Sequence, residues 1–325
     1  MSSTDDEIKV ETKSFITVEG SGYKYRFSRG LLAHSLQLRG LPLDEAYRVA
    51  KKVQTVLKSK GIETIKEDDL REYVKTLAVH FFGEEIATNY NLIEKWHGSS
   101  VPIIILISGA KGTGTAKIGE LIAQKLAIPT IVSTSIVAKI LRKMISPELA
   151  PELHAKSYLA FEKLRPIYSI LYDKVLVGYE EHSRFVAEAV EALVKRALDE
   201  GISMVVRGEH LLPRFMSSEF IKHPNVIYVT LRTKDEERHR SRYCGYFEIE
   251  RMKEKQGNFP EIRKIHDYLI EEAKNRKLTI IDSDNTQDTI IKLNELILER
   301  IEMIFSENGE NTTPLIDFDI SDIHS

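Results

Sequence analysis

Apolar and polar positions repeat with different periods along this chain, and the changes of period mark its elements. Phe15 to Phe27 carries two short period-two alternations broken at Gly20-Ser21-Gly22, which predicts a β-hairpin with a glycine turn. Ser28 then stands at a cap position before a helix bearing Leu31, Leu32, Leu36 and Leu38, and Gly40-Leu41-Pro42 stops it. Ala46, Val49, Ala50, Val53 and Leu57 form the stripe of a second helix, from Asp44 to Gly61. A third begins near Asp68 with Leu70, Val74, Leu77 and Ala78, and a fourth covers Gly83 to Trp96. The pattern then changes. Ile103 to Ile107 has no polar residue and is rich in β-branched side chains, as expected of a strand buried on both faces of a parallel sheet. Apolar runs at Ala127 to Val132, Met204 to Val206, Val226 to Leu231 and Leu278 to Ile281 predict further strands. Helical spacing fills the intervals: Ile118 to Leu126, Ile136 to Met144, Tyr158 to Leu176, Gly178 to Glu200, Phe259 to Arg276 and Thr286 to Phe305. Strands alternating with helices predict an α/β domain with a parallel sheet and right-handed crossovers.

The same patterning predicts the domain organisation. Residues 1–14 are an acidic, Ser/Thr-rich tail, 15–97 a small, mostly helical domain with a β-hairpin, and 98–102 a linker around Gly98-Ser99-Ser100. Residues 103–305 form the sheet domain, and 306–325 an acidic tail expected to be disordered.

Composition narrows the function classes. The chain has 325 residues, 42% hydrophobic and 29% charged, enough for two domains with proper cores. A net charge of −3 gives no global basic field, so direct DNA binding is not expected. A single cysteine, Cys244, excludes an internal disulfide and, with no signal peptide, fits a cytoplasmic location. No apolar run approaches the length of a membrane span. No Cys/His grouping has zinc spacing, so no metal ligand is assigned.

Chemistry concentrates after the first sheet strand. Gly109, Gly112 and Gly114 let the backbone curl so that N–H groups point inward, and the turn opens onto a helix N-terminus. This is the scaffold of a phosphate-binding loop, whose pattern is G-x-x-x-x-G-K-S/T. Here it reads Gly109-Ala110-Lys111-Gly112-Thr113-Gly114-Thr115-Ala116. Thr115 stands where a lysine reaches the phosphates, and Ala116 where a hydroxyl holds Mg²⁺. Backbone N–H groups, with the Thr113 and Thr115 hydroxyls, remain as anion donors, and Lys111 can curl over a phosphate. Lys117 is expected to leave the helix on another face.

Two resemblances extend this. The hairpin, the F-S-R-G-L-L-A-H-S-L run from Phe27 to Leu36 and the closing E-I-A-T-N-Y-N-L-I-E-K-W resemble an ATP-cone, a nucleotide-sensing module. Such domains carry a basic pair on the first hairpin strand; here Val18-Glu19 stands there, with Lys24 and Arg26 on the second strand. Nucleotide sensing and ligand-free docking are equally open for this domain. An ATP-cone joined to a P-loop kinase domain is similar to archaeal 2-phosphoglycerate kinase over about Ile16 to Arg300. The matching runs are R-K-M-I-S-P-E-L-A-P-E-L-H (Arg142 to His154), G-Y-E-E-H (Gly178 to His182), G-E-H-L-L-P (Gly208 to Pro213) and F-P-E-I-R-K-I-H-D-Y-L-I (Phe259 to Ile270). The resemblance implies transfer of the ATP γ-phosphate to 2-phosphoglycerate, with ATP and Mg²⁺ as cofactors. It also implies an acid and an arginine after the second strand, where Ser135 and Ala138 stand, and a glutamate where Arg207 stands.

Candidate site residues follow from both arguments. Gly109, Lys111, Gly112, Thr113, Gly114 and Thr115 would bind nucleotide. Arg238 and Arg242, on one face of a basic run, would clamp phosphates or simply pair with Asp235, Glu236 and Glu237. Arg142 and Arg207 would bind substrate, while Lys111, His182, Glu209 and His210 are candidates for catalytic roles. Three functions stand open. One is a catalytically degraded relative that binds a nucleotide or phosphorylated metabolite and regulates. Another is a kinase with a rewired site, Lys111 replacing the lysine and Glu209 holding the metal. The third is a protein- or ribonucleoprotein-binding factor acting through its tails, with Leu315, Ile316, Phe318 and Ile320 set between acids.

Overall fold

The computed structural model describes residues 15–38, 43–82, 84–165, 173–245 and 257–307. The acidic tails and the Gly40-Leu41-Pro42 stop lie outside these residues. The chain divides into two compact units between Asn91 and Leu92.

The first unit opens with the expected hairpin, β1 (Thr17–Gly20) and β2 (Tyr23–Arg26), in register Val18↔Tyr25 and Glu19↔Lys24. Helices α1 (Arg29–Leu38), α2 (Leu43–Ser59) and α3 (Glu67–Phe82) follow. A third strand, β3 (Thr64–Lys66), pairs parallel with β1 and was not visible in the pattern. Val18, Phe27, Leu36, Val49, Val53, Val74 and Leu77 form the core, so the positions that patterned the helices are the buried ones.

Helix α4 (Glu84–His97) runs across the division. Ile93 and Trp96 pack in the core of the second unit, and Trp96 Nε1 donates to the Val101 carbonyl at 2.9 Å. Within the linker segment Ser99 Oγ donates to Trp96 O at 2.7 Å and accepts from Val101 N at 3.2 Å.

The second unit is a parallel α/β sandwich. Its strands are β4 (Ile104–Ser108), β5 (Thr130–Ser133), β6 (Met204–Gly208), β7 (Val226–Arg232) and β8 (Thr279–Asp282), in the order β5-β6-β4-β7-β8. Every residue of β4 is buried, as its unbroken apolar run requires. Ile103, Ile105 and Ile107 pack on one face with Ile118 and Ile122 of α5 (Thr115–Lys125). Ile104 and Leu106 pack on the other with Ala138 of α6 (Thr134–Met144) and Val186 and Val190 of α7 (Lys174–Asp199). Helices α8 (Ser218–Lys222), α9 (Glu236–Cys244), α10 (Phe259–Asn275) and α11 (Thr286–Glu307) complete the unit. No helix among the described residues is long and apolar enough to cross a membrane.

Two helix expectations need correction. The segment expected to be helical from Tyr158 is a 3-10 stretch at Ser157–Lys163, and residues 166–172 lie outside the described ones. Gly178 does not start a helix but lies inside α7, where a Cβ would stand 2.3 Å from the Phe161 backbone nitrogen. It is a close-approach glycine, not a breaker.

Candidate functional site

The register brings the carboxyl ends of four strands together. Ser108 aligns with Gly208 and Thr230, and Ser133 with Arg207. Ligands of open α/β sheets bind outside such ends. A cleft of about 580 Å³ lies there, lined by the 109–118 loop and helix start, Ser133, Ser135, Arg207, Glu209, Arg242, Ser283 and Thr286 among others.

The loop's shape is fixed by packing. Gly112 and Gly114 have φ of +89° and +93°, which glycine alone adopts without strain. A Cβ on Gly112 would also meet Tyr243 Cβ at 2.9 Å, and one on Gly109 would meet Thr113 Oγ1 at 2.5 Å. Thr113 is fully buried and donates its hydroxyl to the Ala110 carbonyl at 2.8 Å. That corrects the expectation that this hydroxyl serves an anion; it closes the loop instead. Helix α9 holds the loop from outside, since His239 Nε2 lies 2.8 Å from the Lys111 carbonyl oxygen. A carbonyl only accepts, so Nε2 carries the proton. Burial pushes the His239 imidazole down to about 4. Helix α5 begins at Thr115, so its first N–H groups point into the cleft without intrahelical acceptors.

Beneath the loop lies a buried polar cluster. Lys111 Nζ stands 2.8 Å from Glu209 Oε1, which also accepts from Ser157 Oγ at 2.6 Å. The Glu209 side chain is 3% exposed and that of Lys111 37%. Burial would raise the Glu209 carboxyl, but Lys111 and then His210, with hydrogen bonds from Lys111 and Ser157, hold it at about 2. The Lys111 ammonium is raised in turn, chiefly by Glu209. The second Glu209 oxygen is buried without a hydrogen-bond partner. Tyr179 donates its hydroxyl to the Glu209 carbonyl.

Glu209 is followed by His210, whose Nδ1 lies 2.8 Å from Thr134 Oγ1. The His210 ring stacks on His182, centroids 5.0 Å apart. His182 Nδ1 faces the Glu152 carbonyl at 3.0 Å, so Nδ1 bears the proton and Nε2, buried without a partner, is a lone-pair acceptor. Burial lowers His182 to about 4 and His210 to about 3, so both are neutral at pH 7. Gly208 makes this convergence possible: at φ +142° a Cβ would collide with Thr134 Oγ1.

The structure therefore unites Lys111, Glu209, His210 and His182, which the sequence named separately. Thr134, Ser157 and Tyr179 join them unannounced; for Thr134 the signal was its place at the carboxyl end of β5.

The arginines are distributed differently. Arg142 donates to the Leu153 carbonyl at 2.5 Å and the Ala155 carbonyl at 2.7 Å, bracing the end of the short 3-10 turn Pro151–His154, and is not among the described residues that line the cleft. Arg207 lines it, with Nη2 3.4 Å from Glu120 and Nε buried without a partner. Arg242 also lines it while holding the Ser283 and Asp284 carbonyls at 2.6 and 2.7 Å. Arg238 reaches the Asp284 carbonyl, at 2.8 Å. Lys117, expected on another face of the helix, is a lining residue. Among the described residues no group of three or more His, Cys, Asp or Glu could hold a metal ion.

The first unit has a smaller cavity of about 310 Å³, lined by Tyr25, Phe27, Leu31, Glu67 and Arg71 among others. Of the hairpin cations, Lys24 pairs with Glu19, and Arg26 stacks over the Phe15 ring at 3.3 Å.

Comparison with known proteins places this geometry in a family. No family model matches the chain. The 2-phosphoglycerate kinase of Methanopyrus kandleri is 33% identical over 290 residues, 88% of each chain. That of Methanothermobacter thermautotrophicus is 34% identical over 284 residues, 85% of this chain and 92% of the relative. That of Methanocaldococcus jannaschii is 31% identical over 302 residues, 92% and 96%. Among solved structures, shikimate kinase from Acinetobacter baumannii in complex with shikimate aligns over 66% of this chain and 99% of its own, at 17% identity and a TM-score of 0.38. A gluconokinase from Sinorhizobium meliloti aligns over 64% and 96%, at 15% and 0.34. The structural likenesses are faint, but the sequence identities span nearly the whole length of both partners. The chain belongs to the archaeal 2-phosphoglycerate kinase family.

Proposed function

We propose that this member of the family binds a nucleotide or phosphorylated metabolite and acts as a regulatory protein, with its phosphoryl-transfer machinery degraded. One observation carries the reading. The first turn of α5 offers Thr115 and Ala116 to the cleft, while the loop's lysine, Lys111, is paired with Glu209. Phosphoryl transfer depends on positioning and charge neutralisation. Removing one preorganised donor typically costs about a hundred- to thousandfold in rate. The loop backbone and the helix N-terminus are intact, so anion binding outlasts catalysis.

Kinase chemistry implies ATP and Mg²⁺, and the two fare differently here. Phosphates fit the loop, whose glycines and helix start form a cradle lined by cations. Magnesium does not: Ala116 offers no hydroxyl, and among the described residues the one lining carboxylate, Glu209, is 3% exposed and tied through Oε1 to Lys111. Calorimetry with ATP beside a 2-phosphoglycerate phosphorylation assay tests the reading on the full chain. Binding without turnover is expected; turnover overturns it.

Lys111 also favours a second reading, a kinase rewired around this residue, because its ammonium lies in the cleft beside the buried Glu209–His210 pair. That reading requires turnover that Lys111→Ala abolishes. A tail-borne docking role involving Leu315, Ile316, Phe318 and Ile320 falls outside the described residues. Nucleotide sensing by the first unit stays a proposal, with the 310 Å³ cavity as its candidate site.

A further inference from the structure

Phosphate ligands reach most kinases with their charge partly neutralised by a divalent metal, and a site built for that supplies oxygen ligands to hold the metal. The donor set of this cleft has the opposite composition. Among the described residues Lys111, Lys117, Arg207 and Arg242 line it, against the one carboxylate of Glu209. Glu209 Oε1 is committed to Lys111 at 2.8 Å and to Ser157 at 2.6 Å, and Oε2, without a hydrogen-bond partner among the described residues, belongs to a side chain only 3% exposed.

The lining hydroxyls of Thr115, Ser133, Ser135, Ser283 and Thr286 bring no charge to match a divalent cation. Thr113 is buried and donates to Ala110 O, and Ser108 donates to the Leu211 carbonyl at 2.9 Å. Ala116 has none, and the strand end that follows β5 presents Ser133 and Ser135 rather than an acid. A hard cation of magnesium's size prefers carboxylates in near-octahedral geometry and holds them against competing ammonium groups poorly. A free polyphosphate has the reverse preference: it gains from each lysine, arginine and helix N–H group it meets.

We infer that the cleft takes a polyphosphate ligand, a nucleoside triphosphate or diphosphate, in its metal-free form, with Lys117, Arg207 and Arg242 and the α5 N-terminus neutralising the charge that Mg²⁺ neutralises in a kinase. This rests on the binding reading proposed above and sharpens it by naming the ionic form of the ligand. Lys111 enters as a reserve cation. Its pairing with Glu209 keeps the floor neutral, and an incoming phosphate competes with that carboxylate for its ammonium.

Calorimetric titration of the full chain with ATP tests this, once in EDTA and once with Mg²⁺ in excess over nucleotide. Affinity in EDTA is expected to be equal or higher, with Mg²⁺ weakening binding about three- to tenfold as the ligand loses half its charge. A second protein, the Thr115→Lys/Ala116→Ser double variant, is expected to reverse the order and bind more tightly with Mg²⁺. Binding by the unaltered chain that tightens about tenfold or more with Mg²⁺ overturns this inference and leaves the binding reading standing. Absence of ATP binding under both conditions overturns the two together. Turnover in the phosphorylation assay, with metal-independent binding retained, overturns the regulatory reading alone.

Discussion

Beneath the phosphate loop, Glu209, His210, His182 and Ser157 are buried and joined through hydrogen bonds and ring stacking, whereas around the mouth of the same cleft Lys117, Arg207 and Arg242 reach water. In the floor, burial sets the ionisation: two imidazoles are forced neutral and one carboxylate is kept charged by the ammonium beside it. Polar residues in the floor are therefore held by one another, and those at the rim face the open cleft. His182, a candidate from its place in the G-Y-E-E-H run, lies in the floor, buried and neutral.

The sharpest way to break this contrast is acid. His182, His210 and His239 protonate at about pH 6.5 in the unfolded chain but only near 4, 3 and 4 when folded. The unfolded state then binds more protons, so stability is full above about pH 6.5 and is lost as pH falls towards 4. Each histidine contributes on the order of 1.4 kcal/mol per pH unit inside that window. Chemical denaturation at pH 7 and pH 5 reads the sum, and His210→Asn is expected to reduce the slope by one such share. A flat profile contradicts the neutral floor.

Next in size is Gly112→Ala. It combines a left-handed backbone with a Cβ 2.9 Å from Tyr243 Cβ, and should cost about 3 kcal/mol together with ATP binding. A loss below about 0.5 kcal/mol in urea unfolding would mean that Tyr243 and His239 do not hold the loop.

Lys111→Met removes the cation from a nearly inaccessible carboxylate. The expected loss at pH 7 is about 2 kcal/mol, below the range for fully buried pairs because Lys111 itself is 37% exposed. The pH dependence identifies the cause. Glu209 is depressed to about 2, so its contribution is complete above about pH 4.5 and disappears as pH falls to 2. The variant should lack that loss; if it keeps it, the ion pair is not what holds Glu209 charged.

The smallest effect belongs to the rim. Arg242→Gln gives up its hold on the Ser283 and Asp284 carbonyls for about 1 kcal/mol of stability and should weaken ATP binding several-fold. A loss of stability with unchanged affinity would move Arg242 from the rim to the scaffold.

Much of this was legible from residue patterns because burial and periodicity share a cause. The unbroken Ile103 to Ile107 run announced the central strand, and the stripes of α2 and α11 announced their buried faces. Thr64-Ile65-Lys66 was not legible, since three residues hold too little alternation and their partner β1 is a distant hairpin strand. Gly178 misled because a glycine that ends a helix and one that admits a neighbouring backbone look alike in sequence. In the site, the glycine loop and the Glu209-His210 run stood out. The pairing of Lys111 with Glu209 did not, because it depends on how the loop after β4 meets the end of β6. Nor could spacing separate Arg142, spent on carbonyls, from Arg242, which faces the cleft.

The most direct test of the account is the formation of 2,3-bisphosphoglycerate by the full chain, incubated with ATP, Mg²⁺ and 2-phosphoglycerate and followed by phosphorus NMR. The account predicts no product beyond the protein-free control under conditions where calorimetry detects ATP binding. Product accumulating over many turnovers would contradict it and make Lys111 the first residue to replace.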